Sequence, residues 1–224
     1  MLPLDNPIYS ALATDQAPFA LTNGLARRFP LEVSPLAGLR DGSPEAFADL
    51  RELAEPGDRF GLFTIAELEV PDDWELVGER WIDQMVLETP VEPVEGPPLV
   101  ELGEADVPAM LALTAATQPG PFGARTFELG RYLGIRDGER LVAMAGERIR
   151  PEGAIEISAV CTDPDYLGRG YAKTLMTTLA AGIFAAGRQP ILHVKTENGA
   201  KHLYEKLGFR VRRPARLTQI RRPR

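Results

Sequence analysis

The sequence predicts an α+β fold, a mixed sheet flanked by helices. Three observations carry this reading. Apolar runs at 131–136 and 140–149 flank Asp137-Gly138, a strong two-residue hairpin signal. Downstream, strand-like runs at 154–161, 190–194 and 209–213 alternate with helix-like segments at 170–186 and 200–207. The segment ETPVEPVEGPP at 88–98 has four prolines and no apolar period, which favours an extended connector. It divides the chain into an N-terminal helper domain, 1–95, and a larger domain, 96–224.

In the first part, 7–13 and 43–54 read as helices. Ser43 is a candidate N-cap, Pro44 occupies the first helical position, and Phe47, Leu50 and Leu53 form an apolar stripe. Residues 60–65 and 84–87 read as strands. After the connector, 99–102 is a strand, 104–114 an amphipathic helix and 119–123 a loop. Glu152-Gly153 turns the chain into the strand at 154–161. Gly208 stops the helix at 200–207.

Composition excludes several classes. The 44% hydrophobic content suffices for a packed core, and no apolar run is long enough to span a membrane. One cysteine, Cys161, permits no intrachain disulfide and points to a reducing cytoplasm; with two histidines it leaves little stock for a metal site. Net charge is −7, with the acids concentrated in the first hundred residues and seven arginines in the last sixteen. That tail aside, the body carries no basic face for nucleic acid, so the tail reads as a terminal strand with solvated arginines and a frayed end. Trp74 and Trp81 sit among acidic residues. They read as core packing or an exposed turn ahead of an acceptor-pocket wall between the two parts.

The chemistry-bearing residues cluster late. Glu156 lies on a strand thirteen residues before Arg169, and Gly168, Gly170 and Ala172 open a helix after a turn. Small residues there let backbone N–H groups approach an anion, with Arg169 and Lys173 adding positive charge. The spacing matches neither the dinucleotide nor the Walker pattern.

The run from Cys161 through Thr162, Leu167 and Gly168 to Lys173 resembles the coenzyme-A-binding motif of the GCN5-related N-acetyltransferase (GNAT) superfamily, Arg/Gln-x-x-Gly-x-Gly/Ala. Asn198 with the later Leu203-Tyr204-Glu205-Lys206-Leu207-Gly208-Phe209 resembles the family's closing strand–helix–strand unit. The likeness covers about 99–213, and its Ser158-to-Thr162 wording is closest to the FR47-like branch. Leu167 stands where the motif has Arg or Gln, while Gly170 and Ala172 match. The resemblance implies a GNAT fold in the larger domain, with the first part a small α/β unit or a degenerate copy. It also implies acetyl-CoA as cofactor. The N–H groups of Gly168, Arg169, Gly170, Tyr171, Ala172 and Lys173 would hold the pyrophosphate. The strand end at Val160, Cys161 and Thr162 would pair with the pantetheine arm, and Asn198 would bind the cofactor's amide region.

In that frame Glu156 holds the family's general-base position, where partial desolvation is expected to raise its pKa. The plain alternative is a solvent-facing strand glutamate. Tyr204 holds the place of the general acid beside the cofactor sulfur, against a core aromatic. A bulge at Val160 would free its N–H as an oxyanion donor. A covalent role for Cys161 is disfavoured, and His193 and His202 read as structural or peripheral.

The resulting expectation is an acetyl-CoA-dependent N-acetyltransferase acting by direct attack of a small-molecule amine or amino acid. The alternatives are modification of a protein N-terminus or lysine, and a non-catalytic acyl-CoA sensor, which would need neither Glu156 nor Tyr204. The expected partners are an amine acceptor, without nucleic acid or membrane. The acceptor's identity and the choice between monomer and homodimer are not legible.

Overall fold

The computed structural model describes residues 2–197 and 199–224. In chain order the main elements are α1 (Pro7–Ala13), β1 (Leu21–Asn23), β2 (Ala26–Arg28), β3 (Leu36–Leu39), α2 (Pro44–Glu52), β4 (Arg59–Thr64), β5 (Glu75–Val86) and β6 (Val100–Leu102). There follow α3 (Val107–Thr117), β7 (Tyr132–Asp137), β8 (Arg140–Glu147), β9 (Ala154–Thr162), α4 (Tyr171–Ala185), β10 (Gln189–Lys195), α5 (Lys201–Lys206) and β11 (Arg210–Arg221). Among the described residues no helix is long and apolar enough to cross a membrane.

The strands form one sheet in the order β1-β2-β3-β4-β11-β5-β10-β9-β8-β7-β6. Among the described residues only β3–β4 and β9–β10 pair in parallel. The predicted mixed sheet with flanking helices is present, and β5, from before the connector, lies between β10 and β11, from after it. The buried clusters are shared in the same way. Met85 and Leu87 pack with α4 residues, and Ile8 and Phe63 pack with Leu129 and Ile149. The proline-rich connector lies on α4: Val94 N–H donates to Thr177 Oγ1 at 3.0 Å, and a Cβ on Gly96 would overlap Thr174.

Local chemistry explains the elements. Ser43 Oγ accepts from Ala46 N–H at 3.2 Å at the start of α2, with Pro44 next, and Phe47 and Leu50 buried. The β7–β8 hairpin turns at Gly138, whose φ of +58° suits glycine. On the face away from α4, Tyr132 lies across Gly146 of β8, where any Cβ would overlap its ring.

The arginine-rich tail departs from the expectation of a short, solvated strand. β11 runs twelve residues and lies between β4 and β5. Its arginines pair with acids from the first part: Arg210 with Glu88, Arg212 with Asp5, Arg216 with Glu67 and Glu79, and Arg221 with Glu75. The uneven charge distribution is thus resolved inside one sheet. Pro214 fits because β4 joins β11 only from Arg216 onward, so one side of the strand needs no donor there.

Candidate active site

Strand β9 is the axis of the site. Its parallel pairing with β10 ends at Glu156–Ile191, although β9 continues to Thr162 and β10 to Lys195. The two strands therefore part just beyond Glu156. On the other side, β9 pairs with β8 at Ser158–Gly146 and again at Cys161–Met144, leaving one extra residue on β9. This is a bulge, and Ala159 within it has φ +51°, a strained conformation for alanine that costs on the order of 1–3 kcal/mol. The bulge is where the sequence placed it. Val160 has no register partner on β8 or β10 among the described residues.

Past Thr162 the chain turns through Asp163, which accepts from Asp165 N–H at 3.1 Å and from Arg140 Nη2 at 2.5 Å. Gly168 and Gly170 both take left-handed φ, +77° and +81°, and a Cβ at either position would meet only open space. Gly170 is the N-cap of the fifteen-residue α4, so the N–H groups of Tyr171, Ala172 and Lys173 have no intrahelical acceptor. Such a turn is an anion cradle with room for a phosphate. The Arg169 guanidinium stacks 4.5 Å from the Tyr166 ring centroid, whose hydroxyl donates to Asp137. Leu167 is 65% exposed and packs away nothing at this turn. The open cradle, the parted strands and the bulge fit coenzyme A. Asn198 lies outside the described residues.

Glu156 contradicts one expectation. It is neither half-desolvated nor solvent-facing but fully buried, on the face opposite Ile155 and Ile157, which pack toward α4. Arg148 grips its carboxylate in a fork, Nε at 2.7 Å and Nη2 at 2.8 Å, and His193 Nδ1 lies 2.8 Å from Oε1. Burial would push its pKa up, but the Arg148 charge and hydrogen bonds, with the His193 contact, outweigh burial and hold it at about 2. The expected raised pKa is corrected to a lowered one: this carboxylate is ionised and a weak base while Arg148 holds it.

The network continues past His193. Its Nε2 lies 3.0 Å from Gln84 Nε2, which donates to Leu4 O, while Gln84 Oε1 accepts from Arg212 Nη1 at 2.9 Å. Since Gln84 presents its NH₂ group, His193 accepts at Nε2 and carries its proton on Nδ1, toward Glu156. The Phe63 ring, on β4, lies 5.0 Å from His193 although β11 and β5 intervene. A flat sheet would separate those strands by about 14 Å, so the sheet curls toward this face.

Tyr204, on α5, is nearly buried beside Phe209, and burial pushes its phenol up to about 12. Burial likewise raises the Cys161 thiol to about 11, and its Sγ–H points to Ala159 O at 3.3 Å. It is a packed thiol, not a nucleophile.

Arg148 and the part played by His193 were not legible in the sequence pattern. The available signal was cross-strand register: Arg148 N–H bonds Glu156 O at 3.0 Å across the β8–β9 turn. The two tryptophans have different surroundings. Trp74 is buried edge-on to Phe60, and Trp81 is 52% exposed beneath Arg216. A cavity of 320 Å³ opens on the curled face between Phe60, Phe63, Leu36 and Leu217, with Arg148 in its wall.

The FR47-like protein family matches residues 132–217. A protein from Novosphingobium aromaticivorans, assigned to the GNAT family of acetyltransferases, is 37% identical over the full length of both chains and superposes with a TM-score of 0.92. A GCN5-related N-acetyltransferase from Kribbella flavida shares the fold at 17% identity, 96% coverage of each chain and a TM-score of 0.61. A GNAT-family acetyltransferase from Colwellia psychrerythraea does so at 15% identity, covering 89% of this chain and 81% of its own, with a TM-score of 0.54. No curated protein matches the sequence. The chain belongs to the GNAT superfamily, in its FR47-like branch.

Proposed function

We propose that the protein is an acetyl-CoA-dependent N-acetyltransferase that modifies the amine of a small molecule or amino acid by direct attack. The observation that carries this reading is the opening between β9 and β10, bounded by the bulge at Ala159 and the glycine turn before α4. Acetyl-CoA supplies an acetyl thioester at this place. The N–H groups from Gly168 to Lys173 hold the pyrophosphate, and the β9 end from Val160 to Thr162 offers its free edge to the pantetheine amides. Val160 N–H stabilises the carbonyl oxygen as negative charge develops on it, the role of a preorganised donor. Tyr204, protonated across the physiological range, donates to the departing sulfur. Glu156 receives the amine's proton once its hold by Arg148 is loosened.

A thioester-release assay over a panel of amines, run beside calorimetric coenzyme A titration, tests the reading. Amine-dependent release supports it. Tight binding without release under any amine would favour the acyl-CoA sensor.

A further inference from the structure

We propose that the 320 Å³ cavity on the curled face is the acceptor site, and that it takes an amine borne on an apolar body with an adjacent carboxylate, read by Arg148. The inference rests on the transferase reading and names its acceptor class.

Three features carry it. The inner wall is apolar: Leu36 is nearly buried, and Phe63 and Leu217 line the same space, while the side chains of Phe60 and Ile220 pack on the sheet's other face. Gly61, between Arg59 and Phe63 on β4, has no side chain to fill it; a Cβ there would already press on Leu217 and Leu36 at 3.0 and 3.2 Å. An enclosed apolar space with a few convergent polar groups is the ordinary form of a small-molecule site.

Second, the polar groups in that wall are Arg59, Arg148 and Gln219, with no carboxylate among them. A polyamine or amino sugar brings several ammonium groups, and these would be buried without partners. An acidic ligand meets the opposite situation. Arg59 is exposed at the rim and makes no ion pair among the described residues, so it draws anions toward the mouth.

Third, Arg148 joins the cavity to the base. Glu156 takes Nε and Nη2, while Nη1 makes no hydrogen bond among the described residues. A ligand carboxylate pairs with the remaining edge of the guanidinium. It then shares one cation with Glu156, and two carboxylates on one cation bind a proton more readily than one. Glu156 is buried and does not line the cavity, so the draw of the ligand carboxylate on Arg148 must loosen the fork before an amine one carbon away reaches this base. In the transfer, the amine nitrogen forms the N–C bond and the C–S bond breaks. The amine's proton passes to Glu156, and the coenzyme A thiolate is protonated by Tyr204.

The test compares L-phenylalanine, L-phenylalaninamide, phenethylamine and spermidine as acceptors for the wild-type protein with acetyl-CoA. Calorimetric binding of each is measured on the coenzyme A complex. The expected result is kcat/KM roughly 10–100-fold higher for L-phenylalanine than for its amide, the scale of one charge-assisted contact, and no turnover of spermidine. Val77→Trp, at the exposed rim, should weaken L-phenylalanine binding while coenzyme A affinity stays unchanged. Equal turnover of acid and amide, or turnover of spermidine, overturns the inference and leaves the transferase reading standing. L-phenylalanine binding that Val77→Trp abolishes, without turnover of any amine, supports the cavity and overturns the transferase. Neither binding nor turnover overturns both.

Discussion

Glu156→Gln keeps the shape of the side chain and removes its charge, so its cost can be worked from the structure in two ways. The carboxylate is fully buried and its pKa falls from 4.5 to about 2. At 1.36 kcal/mol per unit, this difference is worth about 3 kcal/mol. Independently, breaking a buried ion pair by removing one partner costs about 3–5 kcal/mol, and the amide retains one acceptor for Arg148, which points to the lower end. The sign follows from the depressed pKa. The contribution is fully present above the unfolded value and is lost as pH falls from about 4.5 toward 2. Urea denaturation of both proteins at pH 7, 5, 4 and 3 should therefore show the variant about 3 kcal/mol less stable at neutral pH, and roughly half of that at pH 3. A difference below about 0.5 kcal/mol at pH 7, the range of ordinary surface substitutions, or one that does not change with pH, would refute the Arg148–Glu156 account.

The same variant should lose roughly 10²–10⁴-fold in turnover near neutral pH with cofactor affinity retained, and the deficit should shrink at high pH where more amine is neutral; a pH-independent loss assigns Glu156 a structural role. Tyr204→Phe preserves the packing against Phe209 and should leave stability within about 1.5 kcal/mol. Its turnover should fall with acetyl-CoA and recover in part with an acyl donor whose thiol is more acidic, and unchanged turnover removes Tyr204 from the chemistry. Gly146→Ala drives a methyl into the Tyr132 ring, which is buried and also packed edge-on against Phe122, and should cost about 1–3 kcal/mol by denaturation.

The second half of the chain was legible because its signals are local. Asp137-Gly138 marks a hairpin, and Gly168 and Gly170 mark a helix entry, without reference to anything distant. The first half was less so. Strands β1, β2 and β3 have only three or four residues each, too few to show a period. Only the last part of β5 is buried; from Glu75 to Trp81 it is largely exposed, so its apolar pattern starts late and the sequence showed a strand from 84 alone. The tail's arginines looked solvated because their partners, from Asp5 to Glu88, are far away in sequence. Glu156 carries the same lesson at the site. Its position on β9 was readable, but its pKa is set by burial together with Arg148, just past the end of β8, and His193 on β10, and no single-strand pattern contains them.

Calorimetric titration of wild type, Gly170→Ala and Gly170→Glu with coenzyme A probes whether the turn before α4 cradles the pyrophosphate. Both substitutions bear the strain of a side chain at φ +81°, so the alanine variant isolates that cost. The wild type should bind measurably, alanine should lose modestly, and glutamate should lose orders of magnitude, because its charge would stand at the open N-terminus of the helix. Equal affinity of the folded alanine and glutamate variants would contradict a pyrophosphate cradle at this turn.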